Sequence, residues 1–347
     1  MWLCVFVTSA AWAVEVPTLY TAEVPVDRDA DDPRALAYEI ALNEVLTRVS
    51  GSELVADKLL VDELFPNPAA YVVQFRRGSG EDTLWVSFDG EAVENTLRQA
   101  GQTVWGSDRP LTLIWLAVDW GQGDREIIAA DDPEQISDRS RSINRNHRLR
   151  ERLLEFAERR GLPVVFPLLD TEDLQNVSFS DIWGGFDERL LDASQRYDAG
   201  SVLIGRIRPG SSQLPRWSYY FGGEERAWSG EPEVALGQVA DTLAREFTIG
   251  GDMLVRTVEL SVAGIVSVDH YGSVQNVLEG ISQIENFSIT RVEGDEIVYR
   301  VAVHGGAERL GRALRFGGLL EQDNGLEDDD LVIDDTLTPT LKFYYSP

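Results

Sequence analysis

Hydrophobic and polar positions along the chain form three successive patterns, each of which mixes helical and strand periods. In the first pattern, Asp31-Asp32-Pro33 supplies an N-cap followed by proline, and apolar residues from Tyr38 to Val49 then recur at helical spacing. Two apolar segments that flank Gly78-Ser79-Gly80 predict a β-hairpin. A nearly continuous apolar run at 111–118 predicts the strand that closes an N-terminal module over residues 14–120.

The second pattern predicts a middle α/β module over residues 143–250. Its clearest part begins with the apolar run Val202–Ile207, which is too short for a helix and predicts a buried strand. Gly222-Gly223 lies between two aromatic segments and indicates a hairpin. Apolar residues from Leu236 to Phe247 then form one helical stripe that can cover the sheet.

The third pattern, at 251–320, predicts elements in the order β-α-β-β-α, which is typical of a split βαβ or ferredoxin-like unit. Residues 321–347 form an acidic tail that could end in one more strand. Between the first two modules, residues 121–142 are polar and lack an apolar period, which predicts a linker or mobile loop. The predicted fold class is therefore α+β, with three small modules of mixed sheet and helix, the last of them ferredoxin-like.

The net negative charge of the chain makes some classes of binding partner unfavourable. The formal net charge of −28 argues against a nucleic-acid ligand and against docking on anionic lipid. Lys58 and Lys342 are the only lysines among 31 basic residues. Two explanations stay open for this acidic, lysine-poor composition. One is a salty environment that screens self-repulsion, and the other is a GC-rich genome that favours arginine codons.

The N-terminus has the pattern of a targeting segment. An apolar run at Trp2–Val7 precedes Ala11-Trp12-Ala13, a small-x-small cleavage motif, so residues 1–13 are predicted to be a signal peptide and the protein periplasmic. No Lys or Arg precedes the run, which a start codon placed too far downstream would explain; the alternative is a short buried segment. Cys4, the only cysteine, lies inside it. No later run reaches the roughly 20 apolar residues of a membrane span.

Candidate chemistry is sparse. His147, His270 and His304 are the only imidazoles, and the phosphate-loop, dinucleotide, zinc-protease and serine-elbow motifs are absent. We therefore expect no catalytic residue, no metal site and no cofactor. An alternative hypothesis is a periplasmic hydrolase or small-ligand-binding protein with a site between the middle and C-terminal modules. It requires His270 and His304 to converge with nearby carboxylates.

Aromatic residues crowd the predicted hairpin of the middle module. Trp217, Tyr219 and Phe221 are two residues apart and so share one face of a strand, while Trp228 belongs to the next segment. Two interpretations follow: the aromatic face is core beneath the predicted helix, or it is an exposed recognition surface. This hairpin and the Asp131 segment are the candidate partner surfaces.

Several phrases of the sequence resemble an uncharacterised family of exported proteobacterial proteins, known as a domain of unknown function. They are residues 20–26 (YTAEVPV), 41–51 (ALNEVLTRVSG), 84–89 (LWVSFD) and 109–116 (RPLTLIWL). The resemblance extends over most of the mature chain, through residues 198–205 (DAGSVLIG) and 262–264 (VAG). A weaker, local resemblance links residues 198–207 to envelope assembly modules such as the N-terminal domain of the Tol β-propeller protein. The resemblances imply an exported, non-enzymatic envelope protein that acts as a scaffold or interaction module, with another envelope protein as its partner.

Overall fold

The chain is an α+β protein built from several small modules, as its periodicity predicts. The computed structural model describes residues 13–50, 58–130, 141–248, 255–281, 283–316, 320–322 and 339–346. Most of the predicted signal peptide and the Asp131 segment lie outside the described residues. Within them, no helix combines the length and the apolar character needed to cross a bilayer.

The N-terminal module packs a long helix against a three-stranded sheet of order β2-β4-β3. The helix α1 begins where predicted, because the Asp32 carboxylate accepts hydrogen bonds from the Arg34 and Ala35 amides. The predicted hairpin around Gly78-Ser79-Gly80 is confirmed by the pairing of β3 with β4. The elements are β1 (Ala13–Glu15), β2 (Thr21–Pro25), α1 (Pro33–Ser50), α2 (Lys58–Leu64), β3 (Val72–Arg77), β4 (Thr83–Phe88), α3 (Gly90–Gln99) and β5 (Asp108–Pro110).

The middle module is a sheet of order β11-β10-β9-β6-β7, with β8 beside β6, and it has helices on both faces. Strands β8 and β9 both run parallel to β6, whereas β7, β10 and β11 form antiparallel pairs. The elements are β6 (Thr112–Gly121), β7 (Asp124–Ile127), α4 (Arg141–Arg159), β8 (Val164–Val165), α5 (Thr171–Asn176), α6 (Phe179–Gly184), α7 (Asp187–Ser194), β9 (Ser201–Ile207), β10 (Arg216–Phe221), β11 (Glu224–Ser229) and α8 (Pro232–Phe247).

Two segments lie elsewhere in the fold than their sequence pattern predicts. The apolar run at 111–118 forms β6, which lies inside the middle sheet and does not close the N-terminal one. Its side chains are buried on both faces, against α4 and α8 on one side and the α5–α7 helices on the other. The predicted linker 121–142 contains the edge strand β7, which pairs with β6. Edge strands carry few apolar residues, so periodicity did not reveal it.

The C-terminal module contains the predicted split βαβ. Strands β12 and β13 each pair antiparallel with β14, which lies between them. Strand β16 runs parallel to β12 and separates it from β15, so the sheet has a fifth strand in the order β13-β14-β12-β16-β15. The elements are β12 (Val255–Ala263), α9 (Val268–Gly280), β13 (Ile284–Glu293), β14 (Glu296–His304), α10 (Gly306–Phe316), β15 (Leu320–Gln322) and β16 (Thr340–Tyr345).

A buried arginine joins the N-terminal and middle modules. The Arg109 guanidinium is fully buried and lies 3.8 Å from the centre of the Trp105 ring. Burial lowers the pKa of Arg109 to about 9, so the group is still charged at neutral pH. Its hydrogen bonds go to main-chain oxygens near the carboxyl ends of α1 and α4 and in the segment before β5. The acceptors are the carbonyls of Arg48, Trp105, Gly106, Arg160 and Gly161.

Candidate functional site

The order of the parallel strands in the middle module creates a crevice. The chain passes from β6 through α4 to β8 on one side of β6, and then crosses the opposite face to β9 on the other side. In open α/β sheets, ligands bind beyond the carboxyl ends of the strands where the connections diverge in this way. Asp119 near the end of β6 and Arg208 just after β9 lie at this point.

Asp119 is the buried anion of this crevice. Its carboxylate accepts a hydrogen bond of 2.7 Å from Arg208 Nη2 and one of 3.0 Å from the Gly121 amide. Arg125 Nε lies 3.5 Å from the same carboxylate. The hydrogen bond from Arg208, together with the Gly121 amide and the two positive charges, lowers the pKa of Asp119. Two guanidiniums therefore share one carboxylate.

Aromatic rings cover the two guanidiniums. Phe179 and Trp183 are four residues apart on α6, so they lie on one face of that helix, and their rings stack with centres 5.3 Å apart. The Arg125 guanidinium lies 5.7 Å from the Phe179 ring centre, and that of Arg208 lies 5.4 Å from the Trp183 ring centre. These are cation–π distances. We call Asp119, Arg125, Phe179, Trp183 and Arg208 the switch-point cluster.

A second group of polar residues fixes α6 against the sheet. The buried Arg206 guanidinium on β9 donates to the Ile182 carbonyl on α6 and to Asp187 Oδ1 at the start of α7. Tyr220 on β10 donates a 2.9 Å hydrogen bond to the other oxygen of Asp187. Burial and this carboxylate raise the pKa of Tyr220. The helix that carries Phe179 and Trp183 is thus held to β9, and the start of α7, which follows it, is held to both β9 and β10.

The switch-point cluster is partly exposed to solvent. Both Arg125 and Arg208 are about half exposed, and the rings of Phe179 and Trp183 are only partly buried. Each guanidinium carries five N–H donors in a planar fork that suits carboxylate oxygens. Nowhere in the described part of the chain do three or more His, Cys, Asp or Glu side chains group as metal ligands. The surface therefore offers cationic and aromatic contacts to an anionic group.

Comparison with known proteins concerns the N-terminal module. Residues 13–106 match the family model described as Domain of unknown function (DUF8605). No curated protein and no solved structure matches the chain significantly. The expected resemblance to a domain of unknown function is therefore confirmed over these residues, whereas the phrases quoted at 109–116 and beyond lie outside the match. The match ends before β6, so it does not include the switch-point cluster.

Two of the four aromatic residues of the hairpin that was a candidate partner surface are core. Trp217 and Tyr219 are buried on the face of the sheet that α8 covers, and Phe221 and Trp228 are partly buried against the same core. Trp217 Nε1 also donates a 2.9 Å hydrogen bond to the Gly230 carbonyl. A partner could reach the two buried rings only if α8 moved away. The structure therefore agrees with the interpretation that this face is core beneath the helix.

The histidines of the alternative hypothesis do not converge. His304 pairs with Val255 at the start of β12, whereas the His270 ring lies beyond the end of that strand, where it stacks on Tyr345 at 4.5 Å. Eight residue steps along β12 separate these ends by about 26 Å. His147 lies elsewhere, on α4, with Nδ1 2.8 Å from Arg150 Nη2. The alternative hypothesis of a hydrolase or ligand site between the middle and C-terminal modules therefore lacks the convergence of His270 and His304 that it requires.

A polar network in the α5–α7 segment has a structural role. The buried Asp173 carboxylate accepts hydrogen bonds from the Leu169 amide, Arg196 and the Tyr197 hydroxyl. Burial and the bond to Asp173 raise the pKa of Tyr197 to about 12. Arg196 also forms two 2.8 Å hydrogen bonds to Asp170. The network ties the start of α5 to the segment before β9.

The switch-point cluster was not predicted from the sequence. Its signal is a charged residue after each of two apolar strands: Asp119 follows the run at 111–118, and Arg208 follows Val202–Ile207. The carboxyl ends of neighbouring parallel strands lie together, so these residues would have been expected to meet. Because the first run was assigned to the N-terminal module, the two strands were not expected to be neighbours.

Proposed function

We propose that the protein is an exported, non-enzymatic module of the cell envelope that binds an acidic segment of a partner protein at the switch-point cluster. The observation that carries the proposal is the stacked Phe179–Trp183 pair, flanked by two half-exposed arginines. Tryptophan and arginine are enriched among the residues that dominate binding energy at protein interfaces.

The charge of the cluster supports an acidic partner. Arg125 and Arg208 contribute two positive charges, and within the described residues Asp119 is the carboxylate in contact with both. One positive charge is left over on the surface of a chain whose formal net charge is −28. A local cationic site attracts an acidic segment, whereas the acidic surface around it repels that segment. The segment is therefore favoured at this one position.

The binding test uses the signal of a single tryptophan. The protein is labelled with 5-fluorotryptophan, the Trp183 resonance is assigned with Trp183→Phe, and a flexible acidic peptide of about ten residues is titrated in. We expect a saturable shift of that resonance, weakened by salt because the contact is electrostatic. The amide peptide with Asn and Gln at the acidic positions should cause no shift.

Variants separate this site from general charge effects. Arg125→Gln removes one exposed guanidinium and leaves Asp119 bonded to Arg208, so the fold should persist while peptide affinity falls about tenfold. Arg28→Gln is the matched control, since Arg28 is an exposed arginine of the N-terminal module that pairs with Asp82. Equal responses to the acidic and amide peptides, or equal losses in both variants, would refute the proposed site.

Export is a separate part of the proposal. It is supported by the apolar run Trp2–Val7 and the Ala11-Trp12-Ala13 motif, and by the resemblance of residues 198–207 to envelope assembly modules. The test is cell fractionation followed by N-terminal sequencing of the protein produced from its full gene. We expect a periplasmic protein that begins at Val14. A cytosolic protein that retains residues 1–13 would contradict export without affecting the binding site.

A further inference from the structure

Strand β13 is a long, exposed edge. It is ten residues long, it is the terminal strand of its sheet, and all of its residues except Ile284 and Phe287 are exposed. Across the described ranges, no strand pairs with its outer side. An edge of this kind presents a row of main-chain N–H and C=O groups that can pair with another strand.

The pairing of β13 with β14 shows which side chains face the helices. Ile284, Phe287, Ile289 and Val292 lie opposite Val303, Val301, Tyr299 and Ile297, all of which are buried in the core of the module. Register shifts at Glu285 and Thr290 keep these four apolar residues on one face. Yet Ile289 is 43% exposed and Val292 is 61% exposed. The apolar face of β13 is therefore incompletely covered at its far end.

The geometry points to a second copy of this chain as the occupant of that edge. We propose that β13 pairs antiparallel with β13 of the second copy about a twofold axis through Ser288. In this register Phe287 faces Ile289 of the second copy, and Ile284 faces Val292 of the second copy. Each apolar residue then meets an apolar residue on the same face of a continuous sheet, which is the stabilising arrangement for cross-strand neighbours.

Charge is complementary in the same register. Glu285 faces Arg291 of the second copy, and the twofold axis repeats this contact on the other side. Both residues are exposed in the single chain. The two remaining positions also match, since Asn286 faces Thr290. A single register thus satisfies the apolar, polar and charged positions together, which favours a second copy over an unrelated strand.

Sedimentation equilibrium on the full chain tests the register through a charge exchange. Measurements are made at about 0.15 M salt, where a Debye length of about 8 Å screens the repulsion between distant acidic charges. We expect a reversible monomer–dimer equilibrium. Arg291→Glu and Glu285→Arg each place like charges opposite one another at two positions and should weaken the dimer about tenfold. The double variant should restore it, whereas Arg28→Glu, which changes net charge equally, should have little effect.

A cross-linking experiment locates the axis. In a Cys4→Ser background, Ser288→Cys places two thiols opposite each other, with Cα atoms about 4.5–5.5 Å apart, within disulfide range. Asn286→Cys is the matched control, because its thiols would lie about 13 Å apart along the strands. We expect rapid oxidation to a covalent dimer for Ser288→Cys alone. A monomer at all concentrations, or equal cross-linking by both variants, would overturn the proposal.

Discussion

Replacing Arg109 with methionine should separate the N-terminal and middle modules energetically. Methionine keeps an unbranched, apolar side chain in the buried space, but it is shorter than arginine and has no hydrogen-bond donor. The wild-type guanidinium donates hydrogen bonds to five main-chain carbonyls. Two of them lie in the segment before β5, and three lie near the carboxyl ends of α1 and α4. The carbonyls of Arg48 and Arg160 lie at the carboxyl ends of α1 and α4, where a cation is favourable.

The loss of stability is the difference between two costs and one saving. Each buried carbonyl left without a donor costs about 1–3 kcal/mol, and loss of the cation at a helix end costs about 0.3–1 kcal/mol. Against this, the variant no longer buries a charge, a saving of several kcal/mol. Waters or small shifts can satisfy some of the carbonyls. We therefore expect the free energy of unfolding to fall by about 3–5 kcal/mol, because the loss of donors to five carbonyls outweighs the desolvation that is avoided.

Urea unfolding followed by tryptophan fluorescence measures this loss, because the Trp105 ring lies against the guanidinium. Arg98→Met is the control: Arg98 is a half-exposed arginine on α3 with one ion pair, to Glu94, so its loss should cost less than about 1 kcal/mol. If Arg109→Met unfolded within 1 kcal/mol of the wild type, the hydrogen bonds to main-chain carbonyls would not be what joins the modules.

Three further predictions concern packing, acid stability and the α5–α7 network. Gly205→Ala places a methyl group against the Trp217 ring, and overpacking should lower stability by about 1–3 kcal/mol in thermal unfolding. Hydrogen bonds from the Thr83 hydroxyl at the start of β4, and from Ser79 and Gly80 in the loop before it, lower the pKa of Glu23 to about 2. The folded pKa lies below the unfolded one, so this stabilisation is present above about pH 4.5 and is lost as the pH falls towards 2; a Glu23→Gln variant should show a smaller change in urea midpoint over that window. Asp173→Ala leaves the Tyr197 hydroxyl and two other donors without their acceptor, so we expect a loss of about 2–4 kcal/mol by urea unfolding.

Local pattern was sufficient for many elements of the fold. The Asp32 N-cap and the apolar stripe after it predicted α1, and glycines predicted the hairpin between β3 and β4. The order β-α-β-β-α predicted the split βαβ of the C-terminal module. These features depend on residues close in sequence, which set capping, turn geometry and the period of burial.

The switch-point cluster depends on the pairing of β6, and the apolar pattern of the sequence does not specify which strand β6 pairs with. An apolar run such as 111–118 predicts burial on both faces, but it does not say which sheet the strand joins. Pairing of β6 with β9 brings Asp119 to Arg208, which are far apart in sequence. Because the cluster forms only when β6 and β9 pair, no single sequence motif contains its residues.

By itself, the sequence determined the α+β class, the main helices and hairpins, and the acidic character of the chain. Only the tertiary structure decided that Trp217 and Tyr219 are core and that His270 and His304 lie at opposite ends of β12. It also decided that the stacked rings of α6 lie beside Arg125 and Arg208. The physical reason is that the period of apolar residues shows which positions of a helix or strand face the interior. Which elements meet there is set by hydrogen bonds and packing between residues distant in the chain.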